Sequence, residues 1–430
     1  MKTFKGGIHP EDKKQLSAAQ KIENMPIPER VVIPVSQHLG RPAKPIVKVN
    51  DKVKIGQLIA EADTDFSANI HASIDGIVEE IKNYNHPVYG YGLAIIVKKN
   101  ETSNQNFEPL SKTNWRNLDR ILIKQKISDA GIVGLGGATF PTHIKLNPPS
   151  DKKIDTIIIN AVECEPYLTA DYRLMLEHCN EIIEGAEILK YLMNIDNIVI
   201  GIEANKKDAF EIFKKYGQGK LQAELLKLKY PQGAEKQLID AITNRKVPPA
   251  KLPMDVGVIV VNVGTVYAIY EATVYNKPLI ERIVTVSGAG IKSPKNLRCR
   301  IGILWSEIIK YCGGISSARR LIMGGPMMGV AQFTDDVPVI KGVSGILALT
   351  DEEVGYSEEE PCLRCGNCIR GCPMNLLPSE INKMCDANDI EQLIKLNIVD
   401  CIECGSCVYV CPANKKILQK IRKYKLKVRR

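Results

Sequence analysis

Two spacings of apolar residues take turns along the chain and divide it. Between residues 27 and 100 apolar and polar positions alternate, as in Val47-Lys48-Val49 and Val53-Lys54-Ile55, with turn residues at Asn50-Asp51 and Gly56. Asp75-Gly76 followed by Ile77-Val78 reads as a further turn and strand. A polar linker from Asn100 to Thr113 leads into a helix ending near Ala130. Short apolar runs then appear at Ile154–Asn160, Asn197–Glu203, Leu225–Tyr230 and Val256–Val263. Helical patterns lie at Arg173–Met193 and Ala204–Tyr216. Strands alternating with helices predict a parallel sheet covered on both faces, with ligands at the strands' carboxyl ends.

The pattern changes again between 280 and 350. Arg282–Ser287 is a strand running into Gly288, Trp305–Cys312 a short helix ending at Gly313-Gly314, and Gly324–Gly329 a tight loop. This stretch is similar to the β-grasp domain of the soluble-ligand-binding (SLBB) class. Residues 27–100 resemble the lipoyl/biotinyl hammerhead. A carrier would need a lysine at the hairpin tip, and none occurs between Gln57 and Glu80, so this unit is expected to be structural or to dock a partner. The expected division is a segment at 1–26, the hammerhead at 27–100, an α/β domain at 101–275 and the β-grasp at 276–350. A cysteine-rich module at 351–412 and a basic tail at 413–430 follow.

Eight of the 13 cysteines form two identical runs. They are Cys362-x2-Cys365-x2-Cys368-x3-Cys372-Pro373 and Cys401-x2-Cys404-x2-Cys407-x3-Cys411-Pro412. The spacing resembles that of bacterial two-cluster ferredoxins. Steps of two residues let one tight loop bring three thiolates to three irons of a cube, and the fourth iron takes a ligand from elsewhere. In those ferredoxins the fourth cysteine of each run serves the other cluster. The resemblance therefore assigns Cys362, Cys365, Cys368 and Cys411 to one [4Fe–4S] cluster, and Cys401, Cys404, Cys407 and Cys372 to a second. Structural zinc sites use separated pairs instead. Disulfides need an oxidising compartment, and Met1–Gly7 has no apolar signal core. Helices at Ser379–Met384 and Asp389–Ile394 make this a helical ferredoxin module. Cys164, Cys179, Cys299, Cys312 and Cys385 read as small buried apolar residues.

Composition refines this picture. Apolar residues make up 44% and charged residues 25%, which is ordinary for a globular chain. The net charge of +9 is matched by nine basic residues after Pro412, with no acid among them. The excess belongs to the tail, which argues against a nucleic-acid-binding body. In the tail, Ile417, Ile421, Tyr424 and Val428 recur at helical spacing with Leu418 beside them, and Lys416, Lys420, Lys423 and Lys427 share another face. That is a basic amphipathic helix, expected to lie on a membrane surface or an acidic partner. The longest uncharged apolar stretch, Val256–Tyr270, is too short to span a bilayer.

Gly134, Gly136 and Gly137 open a loop in which the backbone can approach an anion, with Lys145 as a countercharge. Alone, such a loop is as often a simple turn. Asn160, Glu163 and Glu165 follow at a strand's carboxyl end, where side chains face a ligand crevice.

Together these segments resemble the flavin/NADH-binding subunit of respiratory complex I. The likeness runs through Gly134-Leu135-Gly136-Gly137-Ala138-Thr139-Phe140-Pro141 with Lys145, then Asn160-Ala161-Val162-Glu163-Cys164-Glu165-Pro166, Gly233–Leu238 and Asn262-Val263-Gly264-Thr265. Leu135, Val162 and Ala234 depart from that family's arginine, aspartate and glutamate. Over nearly its whole length the chain is similar to the RnfC family of the Rnf electron-transport complexes, adding Gly6-Gly7-Ile8-His9-Pro10, Pro231–Leu238 and Gly324-Gly325-Pro326-Met327-Met328-Gly329.

The resemblance implies FMN and NAD(H) contacts from Gly134, Gly136, Gly137, Phe140, Lys145, Asn160, Glu163, Glu165, Gly233, Glu235, Asn262 and Thr265. It implies a multidomain α/β fold with a Rossmann-like flavin domain. It also implies a peripheral subunit on the cytoplasmic side of the cell membrane. Its partners would be membrane-spanning subunits and a ferredoxin-like cluster subunit, and the whole complex would couple electron transfer to H+ or Na+ translocation. Three other readings stand beside this one: a soluble flavin/iron–sulfur reductase such as a cobalamin reductase, a two-cluster adaptor without flavin, and a ligand-binding scaffold.

Overall fold

The computed structural model describes residues 1–64, 66–108, 111–355 and 358–428. The amino-terminal segment carries an edge strand, Ile22–Asn24 (β1), whose partner lies far along the chain. The β-rich unit follows. Arg30–Pro34 (β2), Gly76–His86 (β3) and Gly90–Lys99 (β4) form an antiparallel sheet in the order β2-β4-β3. It shares a core with a second sheet of short strands, filled by Ile33, Ile59, Ile70, Val78 and Ile95.

The α/β domain begins with helix Arg120–Asp129 (α1), capped by Asp119, whose side chain accepts from Leu122 N. Strand Thr156–Ala161 (β5) leads to two helices, Ala170–Glu177 (α2) and Cys179–Met193 (α3), where one was expected. The break is at His178, whose backbone leaves helical geometry (φ −132°, ψ 36°). Asn197–Glu203 (β6), Lys207–Tyr216 (α4) and Gln222–Leu226 (β7) follow. The strand expected at 225–230 thus ends early: its ladder with β6 stops at Leu226, and Tyr230 pairs instead with Ile8 of the amino-terminal segment. A helix not anticipated from sequence, Glu235–Thr243 (α5), precedes Val258–Asn262 (β8) and Val263–Tyr275 (α6).

The four strands are parallel in the order β7-β6-β5-β8. Alternate residues of β5 enter opposite cores. Ile157 and Ile159 pack with Ile123, Ile183 and Val266 from α1, α3 and α6. Ile158 packs with Leu238, Ile239 and Ile242 of α5. Burial on both faces explains why these strands read as unbroken apolar runs.

Glu281–Ser287 (β9), Lys295–Arg300 (β10), helix Trp305–Tyr311 (α7), Arg320–Met323 (β11), Val330–Gln332 (β12) and Gly345–Leu349 (β13) build the next unit. Its mixed sheet runs β1-β10-β9-β13-β11-β12, so the first residues of the chain complete a sheet made mainly from residues 281–349.

The cysteine-rich module contains Pro378–Asp386 (α8) and Ile390–Lys395 (α9), and the tail forms Ile417–Val428 (α10). The tail helix has the expected amphipathic pattern, but its apolar face is not free. Ile417, Ile421 and Tyr424 are buried in one core with Ile381 and Cys385 of α8 and Leu393 of α9. Lys420 pairs with Asp386 at 2.6 Å, Lys415 with Glu359 at 3.0 Å and Arg422 with Glu403 at 3.1 Å. The apolar face therefore has no part in the expected contact with a membrane surface or an acidic partner: the cysteine-rich module covers it. Arg429 and Arg430 lie outside the described residues.

Candidate functional site

The order β7-β6-β5-β8 makes the space between the carboxyl ends of β5 and β8 the switch point of the sheet, where open α/β folds bind ligands. Asn160, next to the last residue of β5, and Asn262, the last of β8, are register partners. Asn262 caps α6: its Oδ1 accepts from Gly264 N at 2.9 Å and Thr265 N at 3.3 Å. Its Nδ2 donates to Asp171 at 2.7 Å. Asn160 Nδ2 donates to the Gly233 carbonyl at 2.8 Å.

The glycine loop is fixed over these strand ends. Leu135 N donates to Thr265 Oγ1 at 2.9 Å, Gly134 N to the Phe140 carbonyl at 2.9 Å, and Arg282 from β9 to the Leu135 carbonyl at 3.3 Å. A Cβ on Gly136 would stand 2.9 Å from Asn262 Nδ2, whereas one on Gly137 would meet nothing within 4 Å. The hammerhead flanks the loop: Leu39 N donates to the Thr139 carbonyl at 3.1 Å, and Phe66 meets Phe140 edge-on at 6.1 Å. Exposed glycine backbone at a switch point lets an anionic ligand group approach the main chain closely.

The charged residues divide. Lys145 Nζ donates to Glu235 at 2.8 Å and to the Val260 carbonyl at 2.9 Å. Glu163 accepts from Asp171 N at 2.8 Å and Tyr172 N at 3.1 Å, closing the first turn of α2. Glu165 accepts from Met327 N at 3.0 Å and Met328 N at 2.9 Å in the Gly324–Gly329 loop. Burial pushes its carboxyl up to about 7 against those two donors. Asp171 is likewise pushed up to about 7, by burial and then by Glu163. Burial lowers Arg282 to about 10, opposed by Asp171.

The structure thus brings Gly134, Gly136, Gly137, Asn262 and Thr265 together, with Lys145, Glu235, Asn160 and Gly233 alongside. It turns Glu163 and Glu165 toward backbone donors. Asp171 and Arg282 escaped the sequence reading. Asp171 is one of many acids in a helix's first turn, and Arg282 arrives from another domain.

The two cysteine runs fold alike. Arg364 and Glu403 occupy the same left-handed conformation, as do Gly366 and Gly405, and Asn375 and Asn414. One-turn helices Asn367–Arg370 and Ser406–Tyr409 follow in each run. Cys372, Cys401, Cys404 and Cys407 line one cavity with Pro373, Leu418 and Ile421. Three of these cysteines come from the second run and one from the first. Cys368 and Cys411 are electrostatic neighbours, and Cys362 and Cys365 are exposed. Backbone donors face the sulfurs, Glu403 N to Cys401 at 3.4 Å and Lys415 N to Cys411 at 3.5 Å. None of the 13 cysteines is joined in a disulfide. Among the described residues no three His, Cys, Asp or Glu side chains converge on a single ion. Of the cysteines outside the runs, Cys179, Cys299, Cys312 and Cys385 are buried and Cys164 is partly so.

Comparison with known proteins follows the same divisions. The RnfC barrel sandwich hybrid domain matches residues 2–102 and the Nuo51 FMN-binding domain residues 127–271. The SLBB domain matches residues 283–331 and a 4Fe-4S dicluster domain residues 355–412. A chain of NAD+-reducing [NiFe]-hydrogenase in the H2-reduced state shares the fold at TM-score 0.50 and 15% identity, over 73% of this chain and 64% of that one. The C component of the Na(+)-translocating ferredoxin:NAD(+) oxidoreductase complex of Acetobacterium woodii is 42% identical over 98% of this chain and 96% of its own. The C component of the ion-translocating oxidoreductase complex of Rhodobacter capsulatus is 43% identical over 97% and 81%. Its counterpart in the proton-translocating ferredoxin:NAD(+) oxidoreductase complex of Clostridium ljungdahlii is 48% identical over 98% and 93%. Identity at this level over 97–98% of this chain and 81–96% of its relatives leaves one assignment: the chain belongs to the RnfC family of ion-translocating ferredoxin:NAD(+) oxidoreductase complexes.

Proposed function

We propose that this chain is the subunit of a ferredoxin:NAD+ oxidoreductase complex at which electrons are exchanged with NAD(H). The observation that carries the reading is the cavity lined by Cys372, Cys401, Cys404 and Cys407, built from both cysteine runs within one chain that also holds the glycine loop. FMN would be held by Gly134, Gly136 and Gly137, with Phe140, Lys145 and Asn160 around it. Glu235, Gly233, Asn262 and Thr265 fix that cradle. Glu163 and Glu165 support it from behind by ordering α2 and the Gly324–Gly329 loop. Bound there, FMN supplies the conversion between hydride and single electrons, and two [4Fe–4S] clusters supply one-electron storage. The protein's own part is to exclude water, hold the loop and fix the thiols.

Among the described residues no helix is long and apolar enough to cross a membrane. Ion translocation, of H+ or Na+, would therefore belong to membrane-spanning partner subunits. A ferredoxin-like cluster subunit would be the one-electron partner, meeting the face where Cys362 and Cys365 are exposed. The subunit would sit peripherally on the cytoplasmic side, and any membrane contact by the tail would use the exposed Lys416, just before α10, and Lys423 and Lys427 within it. Anaerobic purification tests the reading. About eight irons and eight labile sulfides per chain, stoichiometric FMN and NADH-dependent ferricyanide reduction are expected. Stoichiometric zinc without labile sulfide would end it.

A further inference from the structure

Gly6-Gly7-Ile8-His9-Pro10 and Pro231–Leu238 stand out in the sequence, yet neither lies at the glycine loop or in a cysteine run. In the structure they meet. Ile8 and Tyr230 exchange backbone hydrogen bonds of 2.8 and 2.9 Å. Gly7 N donates to the Gly371 carbonyl at 3.2 Å, next to Cys372. Gly6 and Gly7 both hold left-handed backbone, at φ +81° and +78°. A Cβ on Gly6 would lie 2.6 Å from the Cys372 carbonyl, and one on Gly7 2.6 Å from that of Tyr230. Only glycine fits at either position.

The Tyr230–Leu238 segment faces two ways. Toward the flavin cradle, the Gly233 carbonyl accepts from Asn160 at 2.8 Å and Glu235 pairs with Lys145 at 2.8 Å. Toward the cysteines, Tyr230 Oη donates to the Cys404 carbonyl at 2.8 Å. Gln237 Nε2 donates to the Pro373 carbonyl at 3.2 Å and to Met374 Sδ at 3.2 Å. Tyr230 is 1% exposed and Gln237 5%. Cys404 belongs to the second run, and Pro373 follows Cys372, the first run's contribution to the same cavity. One short segment therefore grips both loops of the enclosed cysteine set and, a few residues on, the flavin cradle.

We infer that Tyr230 and Gln237 are positioning residues for the cluster held by Cys372, Cys401, Cys404 and Cys407. With the Gly6–Ile8 wedge behind them, they fix that cysteine set against the flavin cradle. The inference rests on the proposed function. Each donor aims a positive dipole end at the backbone of a ligand loop. Its removal leaves the more negative, reduced state less stabilised, so the potential of that cluster falls.

The experiment uses the full chain, purified anaerobically with its cofactors. Tyr230→Phe and Gln237→Leu are compared with wild type by dithionite redox titration followed by EPR, with iron, sulfide and FMN quantified. The expected result is wild-type cofactor content, one cluster displaced to more negative potential with altered EPR lines, and the other cluster unmoved. Should Tyr230→Phe shed its iron, Gln237→Leu decides alone on the same criterion. Unchanged potentials, an equal shift of both clusters, or loss of iron from both variants would each overturn the inference. A wild-type chain lacking FMN or labile sulfide would instead fail the proposed function itself, so the two failures are distinguishable.

Discussion

Lys145 and Glu235 form an ion pair of 2.8 Å beside the glycine loop, and both side chains are roughly one-third exposed. The cation that the sequence offers to an anionic ligand is thus already shared with a carboxylate. Glu235 opens α5 and Lys145 also reaches the Val260 carbonyl, so the pair ties α5 and β8 to the loop's far end. Lys145→Met is expected to weaken FMN retention about five-fold, equivalent to ~1 kcal/mol for a partly exposed ion contact. Glu235→Gln frees the lysine for the ligand and is expected to tighten retention. Equilibrium dialysis of FMN against each variant checks both signs, and a weakened Glu235→Gln would show that the pair is purely structural.

Gly136 sits against a side chain that cannot move aside. Asn262 is held by Gly264 N, Thr265 N and Asp171, and a Cβ on Gly136 would stand 2.9 Å from it. Gly136→Val is expected to displace the loop and abolish FMN retention. Iron content should stay at the wild-type level, because Thr265, Arg282 and Leu39, which hold this loop, lie outside the cysteine runs. Flavin and iron determinations on one preparation give the answer, and retained flavin would refute the assigned cradle.

How much of this was legible beforehand differs by element. The cysteine runs carry their chemistry in local spacing, so both loops and the shared cavity could be anticipated. The strands of the parallel sheet were visible as apolar runs because both faces are buried. Glu163 and Glu165 were legible as strand-end carboxylates but their backbone donors were not: such a carboxylate can face a ligand or cap the next helix, and only the chain's path decides. The tail shows the same limit. Hydrophobic periodicity establishes that α10 has an apolar face, but not whether protein or lipid covers it. The roles of Tyr230 and Gln237 were beyond reach, since both depend on contacts with residues distant in sequence.

Stability should fall as pH rises through about 7. Glu165 ionises near its ordinary value in the unfolded chain, but burial raises it to about 7 in the fold. Between those values the unfolded state has released a proton that the folded state retains, so the unfolded state binds fewer and folding stability declines with pH. Asp171 acts in the same direction. Glu165→Gln keeps one acceptor for Met327 or Met328 and removes the titration. Thermal unfolding of the wild type should occur at higher temperature below pH ~7 than above it, and Glu165→Gln should narrow that difference. An unchanged difference would mean that other groups set the profile.

Deleting residues after Asn414 removes α10 and should cost the chain its clusters. Ile417, Ile421 and Tyr424 are 2%, 1% and 8% exposed, and they lie in the core that contains Cys372 and Cys407. Each such side chain is worth about 1.5–3 kcal/mol of burial, a large share of the roughly 5–15 kcal/mol that a domain commonly has. Lys425 adds a specific contact: its Nζ donates to the Cys401 carbonyl at 2.9 Å and pairs with Glu403. Leu418 and Ile421 also line the cavity of the enclosed cysteine set, so truncation would open it to water. The truncated chain should keep FMN, whose cradle lies in another domain, while losing most iron and labile sulfide. A milder variant separates packing from charge. Lys416, Lys423 and Lys427 are exposed, and their joint replacement by Gln should leave iron content intact. If the truncated chain kept its full iron complement, α10 would be an appendage and the membrane-anchor reading of its basic face would regain its footing. If the triple Gln variant retained its iron but came off membranes at lower salt than wild type, the exposed lysines would be an electrostatic contact independent of the buried face.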